Sequence, residues 1–183
     1  MTTATTPSPV LPALQQQFGD AIRSSHEQHG DATAVVARES LVEILTWLKT
    51  QPTWDFNFLM DLGAVDYLKY PEPQPERFAV AYHLYSLAKN HRIRIKVYVG
   101  ADDPVVPTAT ALWKTADWME REVWDQYGIR FSGHPNLKRI LNHMEFVGHP
   151  LRKDYPMKKR QALSVNDTLM DEMTAKLKAK GMA

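Results

Sequence analysis

Apolar residues recur at helical spacing near the start of the chain, at Val10, Leu11, Leu14 and Phe18, and Gly19 supplies a stop. This predicts a first helix over residues 10–18, preceded by a Thr/Pro-rich leader, residues 1–9. From Ile22 the period is ambiguous, but His29-Gly30-Asp31 reads as a turn and Thr33 to Ala37 as a short strand. Ser40-Leu41-Val42-Glu43 fits a capping box, in which the hydroxyl and the carboxylate satisfy the first free N–H groups of a helix. Leu41, Ile44, Leu45 and Leu48 then form an apolar stripe that Pro52 ends.

The middle of the chain changes period. Phe58 to Tyr70 is mostly apolar and stops at Pro71. Phe78, Val80, Tyr82 and Leu84 alternate with their neighbours, and Ile93, Ile95, Val97 and Val99 alternate with Arg92, Arg94, Lys96 and Tyr98. Such alternation means one buried and one wet face, as in an antiparallel pair, and the link from Ser86 to His91 is short enough for a hairpin. The basic outer face of the last strand reads as a solvated surface. After Pro104 the spacing turns helical again, with Leu112, Ala116, Met119 and Val123 on one stripe, Trp113, Trp118 and Trp124 at its edges, and Gly128 placed to cap it. Residues 129–156 lose all periodicity, and a polar tail follows whose last stretch, Asp167 to Lys180, fits a short surface helix.

The predicted order is therefore α-β-β-α-β-β-β, an α+β fold with a two-layer domain and a mixed sheet covered by helices. The domain spans residues 10–128. Residues 129–183 form an extended docking arm and polar tail.

Composition narrows the function. Of 183 residues, 44 % are hydrophobic and 23 % charged, which suits a packed domain rather than a disordered chain. A net charge of +1 gives no electrostatic reason to expect nucleic acid as a partner. Cysteine is absent, which excludes disulfides, thiol nucleophiles and Cys-ligated zinc or iron–sulfur clusters within this chain. No apolar run approaches the roughly 20 residues that span a bilayer, and the start lacks the pattern of a secretion signal.

Three groups carry candidate chemistry. Glu120, Glu122 and Asp125 lie within six residues, and Glu122 and Asp125 share a helix face, the arrangement of an acid/base pair or a metal site. Arg121 between them offers a partner that holds a carboxylate ionised, which favours a charge network over catalysis. His134, His143 and His149 suggest zinc, but their spacing matches no compact ligand motif; ring nitrogens capping turns in the two Gly-His-Pro triplets fit better. Lys138, Arg139, Arg152, Lys153, Lys158, Lys159 and Arg160, interleaved with Ile129, Phe131, Leu137, Ile140 and Leu141, describe a segment that docks on another protein. No phosphate-binding glycine loop, dinucleotide fingerprint or nucleophile elbow is present.

Two blocks are familiar. The first runs Glu120-Arg121-Glu122-Val123-Trp124-Asp125, Tyr127-Gly128-Ile129-Arg130-Phe131, Gly133-His134-Pro135, Leu137 and Arg139-Ile140-Leu141. The second runs Phe146, then Gly148-His149-Pro150-Leu151-Arg152-Lys153-Asp154-Tyr155-Pro156. Together with Asp61-Leu62, Ala64-Val65-Asp66-Tyr67, Pro107 and Leu112-Trp113, they resemble the thirty-kilodalton subunit family of respiratory complex I, over about Phe18 to Pro156. Gln126 and Gly63 depart from the family's usual residues, and the tail after Pro156 lies outside the resemblance.

The resemblance implies a non-catalytic scaffold in the peripheral arm of a proton-translocating NADH:quinone oxidoreductase. It would dock on the quinone-reducing subunit of the forty-nine-kilodalton type, near the subunit that holds the terminal Fe–S cluster. FMN and Fe–S clusters would belong to partner subunits and none to this chain, which fits the lack of cysteine. By the same carry-over, Glu120, Arg121, Glu122, Asp125, His134, Arg139, His149, Arg152, Lys153 and Asp154 would form the subunit interface. The location implied is peripheral, on the cytoplasmic side of the bacterial inner membrane, with membrane association only through the complex. The same scaffold role in a membrane-bound hydrogenase or a ferredoxin- or F420-type dehydrogenase is the nearest alternative; a metal-dependent hydrolase using Glu122, Asp125 and the histidines is the most distant.

Overall fold

The computed structural model describes residues 8–159, 161 and 164–181, with only the backbone of 164–168. Helix α1 (Val10–Phe18) buries Val10 and Leu14, and Gly19 ends it. A hairpin follows, β1 (Ile22–Gln28) and β2 (Asp31–Val36), whose register pairs Gln28 with Asp31. The two residues between them, His29 and Gly30, both have positive φ (54° and 81°), the backbone that a tight two-residue hairpin demands. The ambiguity at Ile22 is resolved by context: β1 is an edge strand exposed over all but its first residue, so it carries no apolar alternation to read.

Helix α2 (Leu41–Thr50) buries Leu41, Ile44, Leu45 and Leu48, as the stripe requires. The capping box is not formed. Ser40 sits at φ −95°, ψ 0° within a short 3-10 turn, Arg38–Ser40, and its hydroxyl makes no capping hydrogen bond. The turn feeds the helix directly, so the extended backbone that aims an N-cap side chain at the first turn is missing.

Strands β3 (Phe58–Asp66), β4 (Phe78–Ser86) and β5 (His91–Val99) complete a five-stranded mixed sheet in the order β1-β2-β5-β4-β3, antiparallel throughout except for the parallel β2–β5 pair. Ala32, Ala34, Val36, Val80, Tyr82, Leu84, Ile93, Ile95 and Val97 lie in one connected core with the buried residues of α1 and α2. On the opposite face Lys96 is not simply solvated. Its ammonium donates to Tyr67 Oη at 2.9 Å and Tyr98 Oη at 2.7 Å and lies over both rings, which shield it from water.

Beyond the sheet, β6 (Val105–Pro107), α3 (Ala116–Tyr127) and β7 (Arg130–Ser132) form a β-α-β unit in which β6 and β7 pair in parallel. Strands of three residues carry no period, so the sequence pattern shows only the helix between them. Ile129 and Phe131, just past Gly128, are buried in the main core beside Val106 and Val123. Residues 133–159 continue without regular structure across the end of α3. Helix α4 (Ser164–Ala179) follows, with Leu169, Met170, Met173 and Leu177 exposed. Among the described residues no helix is long and apolar enough to cross a membrane.

Candidate functional site

Several of the charged residues singled out in the sequence converge on α3 and turn inward, among them Glu120, Arg121, Asp125 and Arg139, while Lys138, Lys158 and Lys159 are exposed and Arg160 lies outside the described residues. Asp125 is fully buried. Its carboxylate accepts hydrogen bonds from the amides of Ile140, Leu141 and Asn142 at 3.2, 2.9 and 2.8 Å, from Asn142 Nδ2 at 3.1 Å, and from the Arg139 guanidinium. Burial alone would raise its pKa, but the donors from Asn142, Arg139 and Leu141 outweigh that and hold it at about 2. Arg139 reaches on to Gly148 O and lies over the Trp124 and Phe146 rings. One carboxylate and one guanidinium thus gather three stretches of an otherwise irregular segment.

Arg121 does not pair with the carboxylates beside it. Its Nε and Nη2 donate to the carbonyls of Lys138 and Arg139, both at 3.1 Å, and its guanidinium lies over the exposed Trp118 ring. The helix end is closed as thoroughly. Gly128 N–H donates to Trp124 O, His149 Nδ1 to Asp125 O at 3.0 Å, Leu151 N–H to Gln126 O, and Arg152 Nε to Tyr127 O. All four carbonyls that an α-helix leaves open at its C-terminus are therefore occupied, three of them by residues from the second familiar block. Burial, with the charges of Arg152 and Arg139 adding to it, keeps the His149 pKa below its ordinary value, so the ring acts as a neutral donor.

A second anchor lies at the end of β3. Asp66 accepts from Arg77 Nε and Nη2 at 3.1 and 2.9 Å, from Leu68 N–H at 3.0 Å and from Lys153 N–H at 2.9 Å, while Arg77 also binds Asp154 at 2.8 Å. Burial raises the Asp66 pKa, yet the Arg77 and backbone donors pull it below 3.8. Arg152 stacks over Phe78 beside this group. Asp66 and Arg77 are not among the expected site residues; the only signal is the string around Asp66, and nothing local marks Arg77.

The remaining expected residues divide. Glu120 and the His134 side chain are buried together against the loop after β6, whereas Glu122 and the Lys153 side chain face solvent. This separates Glu122 from Asp125: one is exposed and the other consumed by the segment it anchors, so they form no acid/base pair. His134 and His143 cap turns with Nδ1, accepting from Asn136 N–H at 3.0 Å and Glu145 N–H at 3.3 Å. Among the described residues no group of three or more His, Asp or Glu side chains is arranged to hold a metal.

What points outward is apolar. Leu141, Met144 and Val147 are 64 %, 67 % and 66 % exposed, with Leu151, Met157 and Trp118 also open to solvent. The irregular segment thus combines a braced backbone with large apolar side chains turned outward.

The bracing carries a pH dependence with a defined sign. Asp66 and Asp125 ionise more readily folded than unfolded, so their stabilisation is present above the ordinary value of 3.8 and is lost as pH falls through the lowered folded values, about 2 for Asp125. Acidification between about pH 4 and pH 2 is expected to free residues 138–154 before the sheet melts. Trp124 fluorescence, changing ahead of the far-UV circular dichroism signal, reports it; coincident transitions would contradict it.

Compared with known proteins, residues 34–161 match the family described as respiratory-chain NADH dehydrogenase, 30 Kd subunit. The NADH-quinone oxidoreductase C subunit 2 of Rhizobium etli is 47 % identical over 145 residues, covering 79 % of this chain and 75 % of the relative. The corresponding C subunit of Citrifermentans bemidjiense is 45 % identical over 144 residues, 79 % of this chain and 86 % of that one. Among solved structures, a trypsin-resistant fragment (1–134) of Nqo5 superposes with a TM-score of 0.63 at 39 % identity, covering 70 % of this chain and 98 % of the fragment. A chain of an archaeal membrane-bound sulfane sulfur reductase superposes with a TM-score of 0.66 over 81 % of this chain and 85 % of its own, at 20 % identity, a likeness of fold.

Proposed function

This chain belongs to the 30 Kd subunit family of respiratory-chain NADH dehydrogenase, and from that premise we propose that it works as a cofactor-free scaffold, docking through residues 138–157 on the quinone-reducing subunit of the forty-nine-kilodalton type. As a subunit of NADH-quinone oxidoreductase it is part of an oxidoreductase complex. In this reading it performs no chemistry of its own. Its task is to hold neighbouring subunits in register, close to the one with the terminal Fe–S cluster, on the cytoplasmic side of the membrane.

The observation that carries this reading is the contrast within one segment: buried charges fasten its backbone while Leu141, Met144 and Val147 stand in water. An apolar surface held in one shape before binding loses little conformational freedom on association. In this reading Glu120, Arg121, Asp125, His134, Arg139, His149 and Arg152 shape the interface from behind, and Glu122, Lys153 and the half-exposed Asp154 contribute polar contacts at its rim. The trypsin-resistant fragment (1–134) of Nqo5 supports it, since a relative's N-terminal part survives protease on its own.

The test is a double variant of the full chain, Leu141→Asp with Val147→Asp, expressed in its host and used to capture the quinone-reducing subunit. Capture is expected to fall by at least tenfold, about the effect of losing one interface hot spot. The melting temperature should stay within the small range typical of exposed positions. Leu87→Asp, equally exposed on the β4–β5 hairpin, is the control that should change nothing. Normal capture by the double variant would remove the assignment.

A further inference from the structure

Four titratable side chains, two from α3 and one each from β4 and the turn after β7, meet in the α3–β6 layer. Glu120 on α3 is fully buried; its Oε1 accepts from Ala109 N–H and its Oε2 lies 2.6 Å from Thr108 Oγ1. His134, from the turn after β7, places Nε2 3.9 Å from Glu120 Oε2 and 3.2 Å from both the backbone oxygen and Oδ1 of Asp117. Tyr82 comes from β4, buried, and its hydroxyl finds no hydrogen-bond partner among the described residues. Asp117 Oδ1 also lacks a hydrogen bond, although the Asp117 side chain is one-third exposed.

We infer that this cluster is a proton-binding site: Glu120 takes up and releases one proton within a group that His134 closes and the part-exposed Asp117 opens to solvent, and the proton alters how the loop after β6 is fastened to α3. The geometry supports both states without moving a heavy atom. With Glu120 ionised, the Thr108 hydroxyl donates to Oε2. With Glu120 protonated, Oε2–H donates to Thr108 Oγ1, and the Thr108 proton turns to Thr110 Oγ1, 3.0 Å away. A hydroxyl rotor with a second acceptor in reach is what such a reversal needs.

His134 closes the cluster. Its Nδ1 accepts from Asn136 N–H, which puts the ring proton on Nε2, directed at Asp117 and Glu120. Asp117, one-third exposed, borders the cluster on its solvent side.

Charge and burial act on Glu120 in one direction. Burial, with the nearby Asp117 charge adding to it, raises its pKa to about 7 against the opposing hydrogen bonds from Thr108 and Ala109. Tyr82 faces it from β4 and stays neutral, its own pKa raised by burial and by Glu120. β3 packs along α3 too, but Asp66 at its end is neutralised by Arg77 and its field falls on Tyr127. A carboxyl whose pKa rises on folding stabilises the chain fully at acid pH and loses that contribution as pH climbs from 4.5 through about 7. This sign is opposite to that of Asp66 and Asp125, and it falls in the range a living cell experiences. The site stands whatever the chain docks to.

The experiment is an NMR titration of the full chain carrying 13C at glutamate side-chain carboxyls, from about pH 5 to pH 9. The Glu120 signal is assigned by its loss in Glu120→Gln. A midpoint near 7, shared by the Ala109 amide proton and the His134 ring signals, is expected. Thr108→Val removes the donor to the ionised state and should move the midpoint upward. If Glu120→Gln does not fold, Thr108→Val assigns the signal by its shift. A Glu120 midpoint in the ordinary range near 4.5, or one near 7 that the Ala109 amide ignores, overturns the assignment.

Discussion

Asp125→Ala is expected to destabilise the chain by about 3–5 kcal/mol, the range for removing one partner of a buried ion pair. Five donors converge on this carboxylate, and the change leaves all of them facing a cavity: Arg139, the amides of Ile140, Leu141 and Asn142, and the Asn142 side chain. Arg139 is itself nearly buried, so water replaces the lost charge poorly. Most of the cost falls on residues 138–148, because residues 139–142 supply all five of these donors. Proteolysis within that segment should therefore accelerate more than global unfolding does. Asp125→Asn keeps the shape and one acceptor oxygen, so it should fall between wild type and Ala. Urea unfolding of the three proteins, with trypsin cleavage at Lys138 and Arg139 timed in parallel, gives both readings. Equal stability of wild type and Asp125→Ala would mean that the segment is held by its apolar contacts and not by this anchor.

The elements with a clear period are legible in the sequence alone. Helices α1, α2 and α3 and strands β4 and β5 follow from apolar spacing, because each buries one face and exposes the other. Strand β1 is polar on nearly every residue, so its pairing with β2 depends on the His29-Gly30 turn and not on its own pattern. β6 and β7 are three residues each and gain their identity from pairing across α3. The capping box at Ser40 is a local pattern overridden by the 3-10 turn that precedes the helix.

The candidate site is half legible. Glu120, Arg121, Asp125, Arg139, His149 and Arg152 do gather around α3; of the two Gly-His-Pro histidines read as turn caps, His134 caps a turn and His149 closes the end of α3, while His143, outside those triplets, caps a turn too. Which carboxylate meets which guanidinium is not legible. Arg121 lies four residues from Asp125, but its guanidinium is drawn to the free carbonyls of residues 138 and 139, while Arg139, distant in sequence, reaches Asp125. Pairing of this kind depends on the path of an irregular segment, and periodicity carries no information about that path. The Asp66–Arg77 anchor escapes notice for the same reason: the two lie on either side of the β3–β4 connection, and Lys153 joins them from far along the chain.

Gly128→Ala is the second change with a large expected effect, and it tests whether the helix end and the docking segment are one unit. Gly128 holds φ +74°, a left-handed conformation that costs an L-residue about 1–2 kcal/mol. Space adds more. A Cβ there would lie 2.5 and 2.6 Å from the His149 ring and 2.7 Å from Arg152 Nη2. Those two side chains hold Asp125 O and Tyr127 O, so the methyl group displaces the clamp as well as straining the backbone. Losing hydrogen bonds of this kind costs about 1–3 kcal/mol further. Gly133 separates the two effects, since it has φ +81° and its nearest neighbour to a new Cβ would be Thr108 Cγ2 at 3.4 Å. Gly133→Ala should show the backbone cost alone. The excess loss in Gly128→Ala then measures the clamp, and it should appear together with faster proteolysis of residues 138–154 and weaker capture of the quinone-reducing subunit. Equal losses in the two variants would mean that His149 and Arg152 move aside freely, and that the end of α3 does not fasten the docking segment.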